Sequence, residues 1–236
     1  GGVAWSVDAA SGKAVPATSA EWSAFIAANA LSVPVPDCLW LLQEASGNPV
    51  DSIGGITLTA AGTVSYQQAE AGWTRVGVGL TDGVNSQFGS VSGSLPLSGT
   101  GSQTILMLAN AHTAPAGNRS LYEGQTGSTI RITSVPRAVC VSGANTATGT
   151  GSPIGAVRPY VYRENITAVT STLMTNQEKL TPTHGTISGR NLRIGSSSSA
   201  QAARVLYAVG WLNANAEISD ANMKALLHAM GYTIPW

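Results

Sequence analysis

The chain has 236 residues, of which 43% are hydrophobic and only 10% charged, and its 12 basic side chains equal its 12 acidic side chains in number. Attraction to nucleic acid phosphates needs Lys and Arg concentrated on one face, and the sequence has no basic cluster, so nucleic acid is excluded as a partner. The apolar fraction is high enough to offset the entropy of ordering, which excludes a wholly disordered chain. The length suits one main domain.

The ends and the cysteines add three expectations. No run of 18 apolar residues occurs, so no membrane span is predicted. The start, Gly1-Gly2-Val3, has neither an initiator Met nor the layout of a signal peptide, and we expect a processed, tagged or excised piece. Cys38 and Cys140 lie in strand-like surroundings, where either one disulfide or two buried free thiols would fit.

Residues 1–36 are predicted to form an N-terminal arm with one short amphipathic helix. Thr18 and Glu21 have the spacing of a capping box, and apolar residues follow at one-turn spacing at Trp22, Phe25 and Ile26. Pro34 and Pro36 end the segment as a stiff linker. Two roles are open for this helix: it covers one end of the domain that follows, or it docks the module onto a larger assembly.

The pattern from Leu39 to Leu212 indicates an all-β core. Short β-branched or alternating runs are separated by turn residues, which is typical of an antiparallel sandwich or barrel. The segments 142–153 and 195–200 are so rich in small residues that we expect loops there, and the first is long enough to be a flexible or a lid-like loop. The candidate strands are Leu39–Gln43, Ile56–Thr59, Thr63–Gln67, Arg75–Leu80, Thr104–Ala109, Ser120–Glu123, Thr129–Thr133, Ala138–Val141, Arg158–Tyr162, Asn191–Ile194 and Val205–Trp211.

The end of the chain predicts a second helix. Ser219 is a good N-cap, and Ile218 before it with Met223 four residues after it forms a hydrophobic staple. Gly231 ends the helix by accepting a left-handed conformation, and Tyr232 folds back onto the last turn. The apolar stripe on one face indicates core packing rather than a cofactor site, and it consists of Met223, Leu226, Leu227 and Met230.

Enzyme chemistry has little support in the sequence. A retaining glycosidase needs two carboxylates about 5 Å apart, which on one strand means acidic residues two or four positions apart, and no such run occurs. The close pair Glu217 and Asp220 opens the last helix, where negative charge favours the helix dipole. His112, His184 and His228 are isolated from one another, so no zinc site is predicted. We therefore predict that the chain is not an enzyme.

Binding chemistry is easier to place. Aromatic rings stack on sugar faces, and the available candidates are Trp73, Tyr122, Tyr160, Tyr162 and Trp211. A sandwich can also hold calcium with a few loop oxygens, and Asp82 with Asn85 is the best local candidate. The same segment, Thr81 to Asn85, also fits a tight turn in which Asp-Gly supplies the backbone geometry. No cofactor other than calcium is expected.

Several segments together resemble one known superfamily. They are Leu39–Asn48, Val78–Val84, Asn191–Gly195, Val209–Trp211 and Gly231–Ile234. They resemble the opening strand, the second strand with its Asp-Gly turn, a late strand and the closing helix of the concanavalin A-like lectin/glucanase superfamily, in particular its laminin-G-like branch. The resemblance implies a two-sheet antiparallel jelly-roll sandwich over residues 37–236, whose relatives often bind glycans or proteins, some with calcium at loop ends.

The sequence therefore yields three functional hypotheses. The first is a non-catalytic recognition or adhesion module that binds carbohydrate, or a protein surface, through its loops or one sheet face. The second is a structural or decoration protein of a larger particle such as a bacteriophage virion, docked by its arm, with homo-oligomers or particle assembly as the expected partner state. The third is a glycoside hydrolase or lyase. All but the third lead us to expect an extracellular, cell-surface or virion location.

Overall fold

The computed structural model describes residues 4–90, 102–124, 128–165, 170–183, 192–212 and 218–236. Within these ranges the two helices are α1 (Ser19–Ala28) and α2 (Asp220–Ala229), and neither, with 10 residues each, is long enough to cross a bilayer. The strands within them are β1 (Cys38–Trp40), β2 (Leu58–Gly62), β3 (Val64–Gln68), β4 (Gly77–Leu80), β5 (Ser86–Ser90), β6 (Gln103–Ala111), β7 (Arg119–Gly124), β8 (Ser128–Ile132), β9 (Ala138–Ser142), β10 (Asn145–Thr148), β11 (Arg158–Asn165), β12 (Thr170–Thr175), β13 (Lys179–Leu180), β14 (Leu192–Ser196) and β15 (Ala203–Leu212).

The strands form two sheets. The larger sheet has the order β13-β12-β11-β6-β15-β4-β3, and β1 pairs with the end of β15. The smaller sheet has the order β10-β9-β8-β7-β14-β5-β2. Neighbouring strands in both sheets run antiparallel. The predicted all-β fold, a two-sheet antiparallel sandwich with a short helix near each end of the chain, is confirmed.

The main core lies between the two sheets, and strand alternation decides which side chains enter it. On β15, Val205 and Ala208 belong to this core, whereas Tyr207 and Val209 belong to a second apolar cluster on the opposite side of the sheet. Successive side chains of a strand point to opposite faces, so the larger sheet is apolar on both. All nine residues of β6 are buried for this reason.

The second cluster lies on the outer face of the larger sheet, where the N-terminal arm and both helices cover it. Trp22 and Phe25 of α1 and Met223 of α2 pack there against strand residues that include Trp211. The ring of Trp22 meets the rings of Phe25 and Trp211 edge-on, with centroids 5.9 and 5.8 Å apart. The apolar side of α1 is therefore buried within this chain, as the first of its two predicted roles requires. The boundary at residue 36 stays a prediction.

The predicted capping box of α1 forms only in part. The Thr18 hydroxyl accepts a hydrogen bond of 3.2 Å from the Glu21 amide, as predicted. The Glu21 carboxylate does not return to Thr18; its Oε2 accepts from the amides of Ala17 and Ser6, at 3.0 and 2.7 Å. Glu21 thus ties the start of the arm to the helix, because the arm folds back alongside it.

The predicted ends of α2 are confirmed. The Ser219 hydroxyl accepts from the Asn222 amide at 3.2 Å, and Ile218 and Met223 are buried in the same cluster. Gly231 has a φ of +96°, and the Tyr232 amide donates to the Leu227 carbonyl at 2.9 Å. This is the Schellman arrangement that terminates helices at glycine.

The loop predicted over residues 142–153 is partly wrong. Its middle forms β10 (Asn145–Thr148), which pairs with β9 across a tight turn in which Gly143 has a φ of +61°. A short Thr-containing strand at the sheet edge has too little apolar alternation to stand out in the sequence. Strands β5, β12 and β13 were likewise not predicted, and β14 includes the first two residues of the loop predicted over 195–200. Residue 191 lies outside the described ranges.

Both cysteines are buried free thiols in the main core. Cys38 belongs to the larger sheet and Cys140 to the smaller one. Of the two alternatives for these residues, the structure has the unbridged one. Each thiol fills apolar space as a small hydrophobic side chain.

Candidate functional site

The covered face of the larger sheet becomes polar toward one end. On β6, Leu106 and Leu108 point into the second cluster, and Asn110, two residues further, continues on the same side. His112 follows immediately after the strand, and Arg204 pairs with Asn110 from the neighbouring strand β15. The chain thus places three polar side chains together where the helices no longer cover the sheet.

Glu70 is the centre of this group, which we call the Glu70 cluster: Glu70, Asn110, His112 and Arg204. Glu70 Oε2 lies 2.8 Å from His112 Nε2, and Glu70 Oε1 accepts a 2.8 Å hydrogen bond from Asn110 Nδ2. Arg204 Nη1 lies 3.7 Å from Glu70 Oε2 and also donates to the Ala69 carbonyl. One carboxylate therefore holds three side chains from two strands and a loop.

Burial in the Glu70 cluster is uneven. The Glu70 side chain is 5% exposed, whereas His112 and Arg204 are 32% and 33% exposed. The cost of burying the carboxylate is offset by its hydrogen bonds and by the nearby guanidinium. Asn110 Oδ1 is buried and has no hydrogen-bond partner within the described residues. The imidazole and guanidinium thus face the surface with their orientation fixed from beneath.

A cleft of about 190 Å³ opens beside the cluster, lined by His112 and Arg204 together with Ser65, Gln68, Gly79, Leu80, Ala202 and Ala203. Gly79 lies mid-strand, paired with Ser65 on one side and Arg204 on the other. A Cβ at Gly79 would lie 3.2 Å from Gln68 Cγ and 3.4 Å from Ser65 Cβ. The missing side chain therefore keeps the cleft open between the two neighbouring strands.

Trp73 is the predicted sugar-stacking residue that the structure brings to this region. Its amide donates to the Glu70 carbonyl at 3.1 Å, so Glu70 and Trp73 are the two ends of one tight turn. The indole is partly buried and rests against the second cluster. A partly exposed aromatic ring is a side chain that can stack on an apolar sugar face.

The other four predicted aromatic residues, Tyr122, Tyr160, Tyr162 and Trp211, are all 0% exposed. The three tyrosines point into the core between the sheets, and Trp211 lies in the second cluster beneath the arm. Their strand positions put the rings on packed faces, so none of the four is accessible to a sugar in this structure. A spacing of two shows that two residues share a face, but it does not show which face that is.

The predicted calcium residues lie in an exposed turn. Asp82 Oδ1 accepts from Arg119 Nε at 3.1 Å, and the Asn85 main-chain carbonyl accepts from the Thr63 amide at 2.9 Å. Gly83 between them has a φ of +71°, which fits the tight-turn alternative. Among the described residues no three His, Cys, Asp or Glu side chains cluster as metal ligands. Calcium binding stays a prediction.

Sequence reasoning missed the Glu70 cluster because its members are far apart in the chain and share no local spacing. In the sequence His112 is isolated from the other histidines, whereas the sheet joins it to a carboxylate 42 residues earlier. The sequence does contain one signal of the cluster: the apolar run of β6 is followed by two polar residues on the same side of the strand, Asn110 and His112. His184 and Glu217 lie outside the described residues.

No protein-family model and no curated protein sequence matches the chain. Solved structures do match. Trypanosoma rangeli sialidase in complex with 2,3-difluorosialic acid has a TM-score of 0.63 at 10% identity, over 82% of this chain and 33% of that one. The same sialidase with sialic acid has a TM-score of 0.61 at 10% identity, over 80% and 32%. The receptor-binding domain of botulinum neurotoxin mosaic serotype C/D has a TM-score of 0.56 at 8% identity, over 82% and 50%.

These similarities concern the fold. The chain spans about a third of the sialidases and about half of the toxin domain. They agree with the two-sheet sandwich that the resemblance implied, while the superfamily and its laminin-G-like branch are finer assignments that they leave open. They correct one prediction: the expectation that the chain is not an enzyme is contradicted, because the first matching structures are enzymes.

Proposed function

We propose that this chain is a carbohydrate-binding domain whose ligand occupies the cleft beside the Glu70 cluster. The observation that carries the proposal is the cleft itself: an open, polar hollow on the outer sheet face, with oriented His and Arg side chains and a partly exposed tryptophan in the adjoining turn. Sugar recognition combines polar groups that bind hydroxyls with a flat apolar surface for the ring.

The polar groups are of the right kind and are fixed in place. Arg204 offers guanidinium donors, and Gln68 and Ser65 offer both donors and acceptors. His112 is oriented by Glu70 through Nε2, and its Nδ1 makes no hydrogen bond within the described part of the chain. Side chains that are oriented before binding lose less entropy when a ligand arrives. The cleft is smaller than the roughly 300–1,000 Å³ of drug-sized pockets, which favours a single sugar ring.

Gly79 supports the same conclusion. Glycine weakens a strand interior, and it often marks a place where a ligand or another backbone approaches closely. At Gly77 it is another backbone that approaches closely, because a Cβ there would lie 2.4 Å from the Val205 carbonyl oxygen. At Gly79 the nearest atoms belong to the side chains of Gln68 and Ser65, which line the cleft, so close approach of another backbone does not explain this glycine.

The experiment is a glycan array followed by calorimetric titration, with Gly79→Ala as the decisive variant. The added methyl group should abolish or strongly weaken binding while the protein still folds, because only side chains must yield. Gly89→Ala is the matched control on the smaller sheet, where a Cβ would make ordinary contacts of 3.8 Å or more. Binding by the Gly79 variant equal to the wild type would move the site elsewhere.

Two finer points belong to the proposal. Membership of the concanavalin A-like superfamily is supported by the sandwich and by the lectin-like architecture of the matching structures. An extracellular or surface location, on a cell or a virion, is where a glycan-binding domain would meet its ligand. The alternative of a particle protein docked by its arm stays a prediction, and it would need a surface other than Trp22 and Phe25, which are 0% and 1% exposed.

The second candidate function is glycoside hydrolysis, which the sialidase similarity favours. The Glu70–His112 pair supplies a carboxylate and an imidazole within 2.8 Å, a combination suited to proton transfer. Release of a chromophore from a panel of aryl glycosides, sialosides included, would test it. Turnover that disappears in Glu70→Gln would support hydrolysis; the same turnover in that variant and the wild type would exclude this pair as its source.

A further inference from the structure

The N-terminal arm is tied to the segment that carries Glu70 and Trp73. Residues 6–15 of the arm form a small hairpin, with an isolated bridge between Val7 and Ala14, and Asp8 lies near its turn. The Asp8 carboxylate accepts from the Ser11 amide and the Ser11 hydroxyl, both at 2.9 Å, so it is fixed by its own hairpin. Asp8 is only 5% exposed.

The same carboxylate holds the chain just after Trp73. Asp8 Oδ2 accepts from the Thr74 amide at 3.0 Å, the Thr74 hydroxyl at 2.7 Å and the Arg75 amide at 2.8 Å. The Ala9 amide also donates to Thr74 Oγ1, at 3.1 Å. With the second contact of the Thr74 amide, to Asp8 Oδ1 at 3.2 Å, five hydrogen bonds join the hairpin to two consecutive residues that lie far along the chain.

The Arg75 side chain reinforces this attachment. Its guanidinium lies over the ring of Tyr207, 5.4 Å from the centroid, and the Tyr207 hydroxyl donates to the Pro16 carbonyl of the arm at 2.6 Å. The segment 70–75 is thus held at both ends. The Glu70 cluster fixes its beginning, and the arm fixes its end.

We propose that Asp8 is a positioning residue for the candidate site: by fixing Thr74 and Arg75 it sets the orientation of Trp73 and of the turn that begins at Glu70. The arm then belongs to the framework of the binding site, although none of its residues lines the cleft. The expected effect of Asp8 on sugar affinity rests on the proposed function. Its effect on Trp73 can be measured without any sugar.

The test compares Asp8→Asn with the wild type by nuclear magnetic resonance, using the indole N–H signal of Trp73 assigned from a Trp73→Phe spectrum. The substitution keeps the shape of Asp8 but turns one acceptor oxygen into a donor that faces amide N–H groups. We expect the Trp73 signal to shift and broaden. We also expect about tenfold weaker binding of methyl glucoside, mannoside or galactoside, which corresponds to the loss of one or two hydrogen bonds.

Three further variants keep the test decisive. Thr74→Val removes only the hydroxyl contacts and should shift the Trp73 signal in the same direction as Asp8→Asn, but by less. If Asp8→Asn does not fold, Thr74→Val alone tests the positioning role. Glu178→Gln alters a carboxylate that accepts from the Thr150 amide next to β13, at the opposite edge of the larger sheet, and Ile130→Val weakens the main core from the smaller sheet. Both should leave the Trp73 signal and the affinity unchanged.

The outcomes separate the two proposals. An unchanged Trp73 signal in both folded Asp8→Asn and Thr74→Val overturns the positioning role, whatever the glycosides do. A Trp73 change of equal size in Ile130→Val also overturns it, because general loosening would then explain the effect. If the wild type binds no glycan at all, the proposed function fails, while the indole signal still decides the role of Asp8.

Discussion

Replacing Trp22 with Ala tests whether the N-terminal arm is part of the folded unit. The side chain is 0% exposed and packs edge-on against Phe25 and Trp211. An aromatic side chain buries about 150–250 Å², and at roughly 25 cal/mol per Å² this corresponds to about 4–6 kcal/mol. Because the unfolded chain already buries some of that surface, this range is an upper bound. We expect the free energy of unfolding to fall by about 3–5 kcal/mol, as for other buried Trp→Ala changes.

The assay is urea unfolding followed by both far-ultraviolet circular dichroism and tryptophan fluorescence. The two transitions should coincide at a lower urea concentration than in the wild type, because the arm and the sheet share one apolar cluster. Ser23→Ala, on the exposed side of the same helix, is the control and should stay within about 0.5 kcal/mol. A loss below about 1 kcal/mol for Trp22→Ala would refute the packing described above, and would reopen the docking role of the arm.

Three other predictions concern single features. Burial raises the pKa of the Cys140 thiol to about 12 and that of Cys38 well above its usual range, so a thiol reagent should label both only after unfolding; labelling of the native protein would contradict this. Gly231→Ala should lower the melting temperature by about 2–6 °C, because φ is +96° there, and an unchanged value would count against the helix end described. Burial alone would raise the pKa of Asp8, but hydrogen bonds from Ser11, Thr74 and Arg75 outweigh it and lower the pKa. The charged Asp8 therefore contributes its full stabilisation of the fold at a pH above its ordinary pKa of 3.8, and this stabilisation is lost as the pH falls below that value. The difference in the free energy of unfolding between wild type and Asp8→Asn should narrow from pH ~7 to pH ~2, and a constant difference would contradict this.

The architecture was predictable because it follows from patterns along the chain. The caps and glycine of α2 mark its ends within a few residues, and the β-branched runs of β6 and β15 are long enough to be recognised as strands. Of the strands that were missed, β5 and β12 lie inside their sheets, whereas β10 and β13 are short edge strands. Their residues gain stability from the neighbouring strand rather than from their own alternation, so the sequence carries little trace of them.

The candidate site was much less predictable. Four of the five chosen aromatic residues are buried, because the size and type of a residue do not reveal which face of a strand it occupies. Trp73 comes from the same prediction, and it is connected to the Glu70 cluster by a turn that begins at Glu70. The Glu70 cluster joins residues from a loop, from β6 and its end, and from β15. Only the antiparallel order of the larger sheet brings them together.

The arm shows a similar limit. The spacing of Thr18 and Glu21 predicted the helix correctly, but the Glu21 carboxylate binds the arm instead of completing the capping box. Nor does any local pattern connect Asp8 with Thr74. These contacts exist because the arm lies on the outer face of the larger sheet, where Trp22 and Phe25 also pack.

The cleft at Gly79, His112 and Arg204 is the glycan-binding site proposed for this chain. Chemical-shift mapping of the labelled protein, titrated with the glycan that binds most strongly on the array, tests it most directly. The shifts should concentrate in residues 65–80, 110–112 and 202–204 and include the Trp73 indole. Shifts confined to the smaller sheet, or to the turn between Asp82 and Asn85, would contradict the claim.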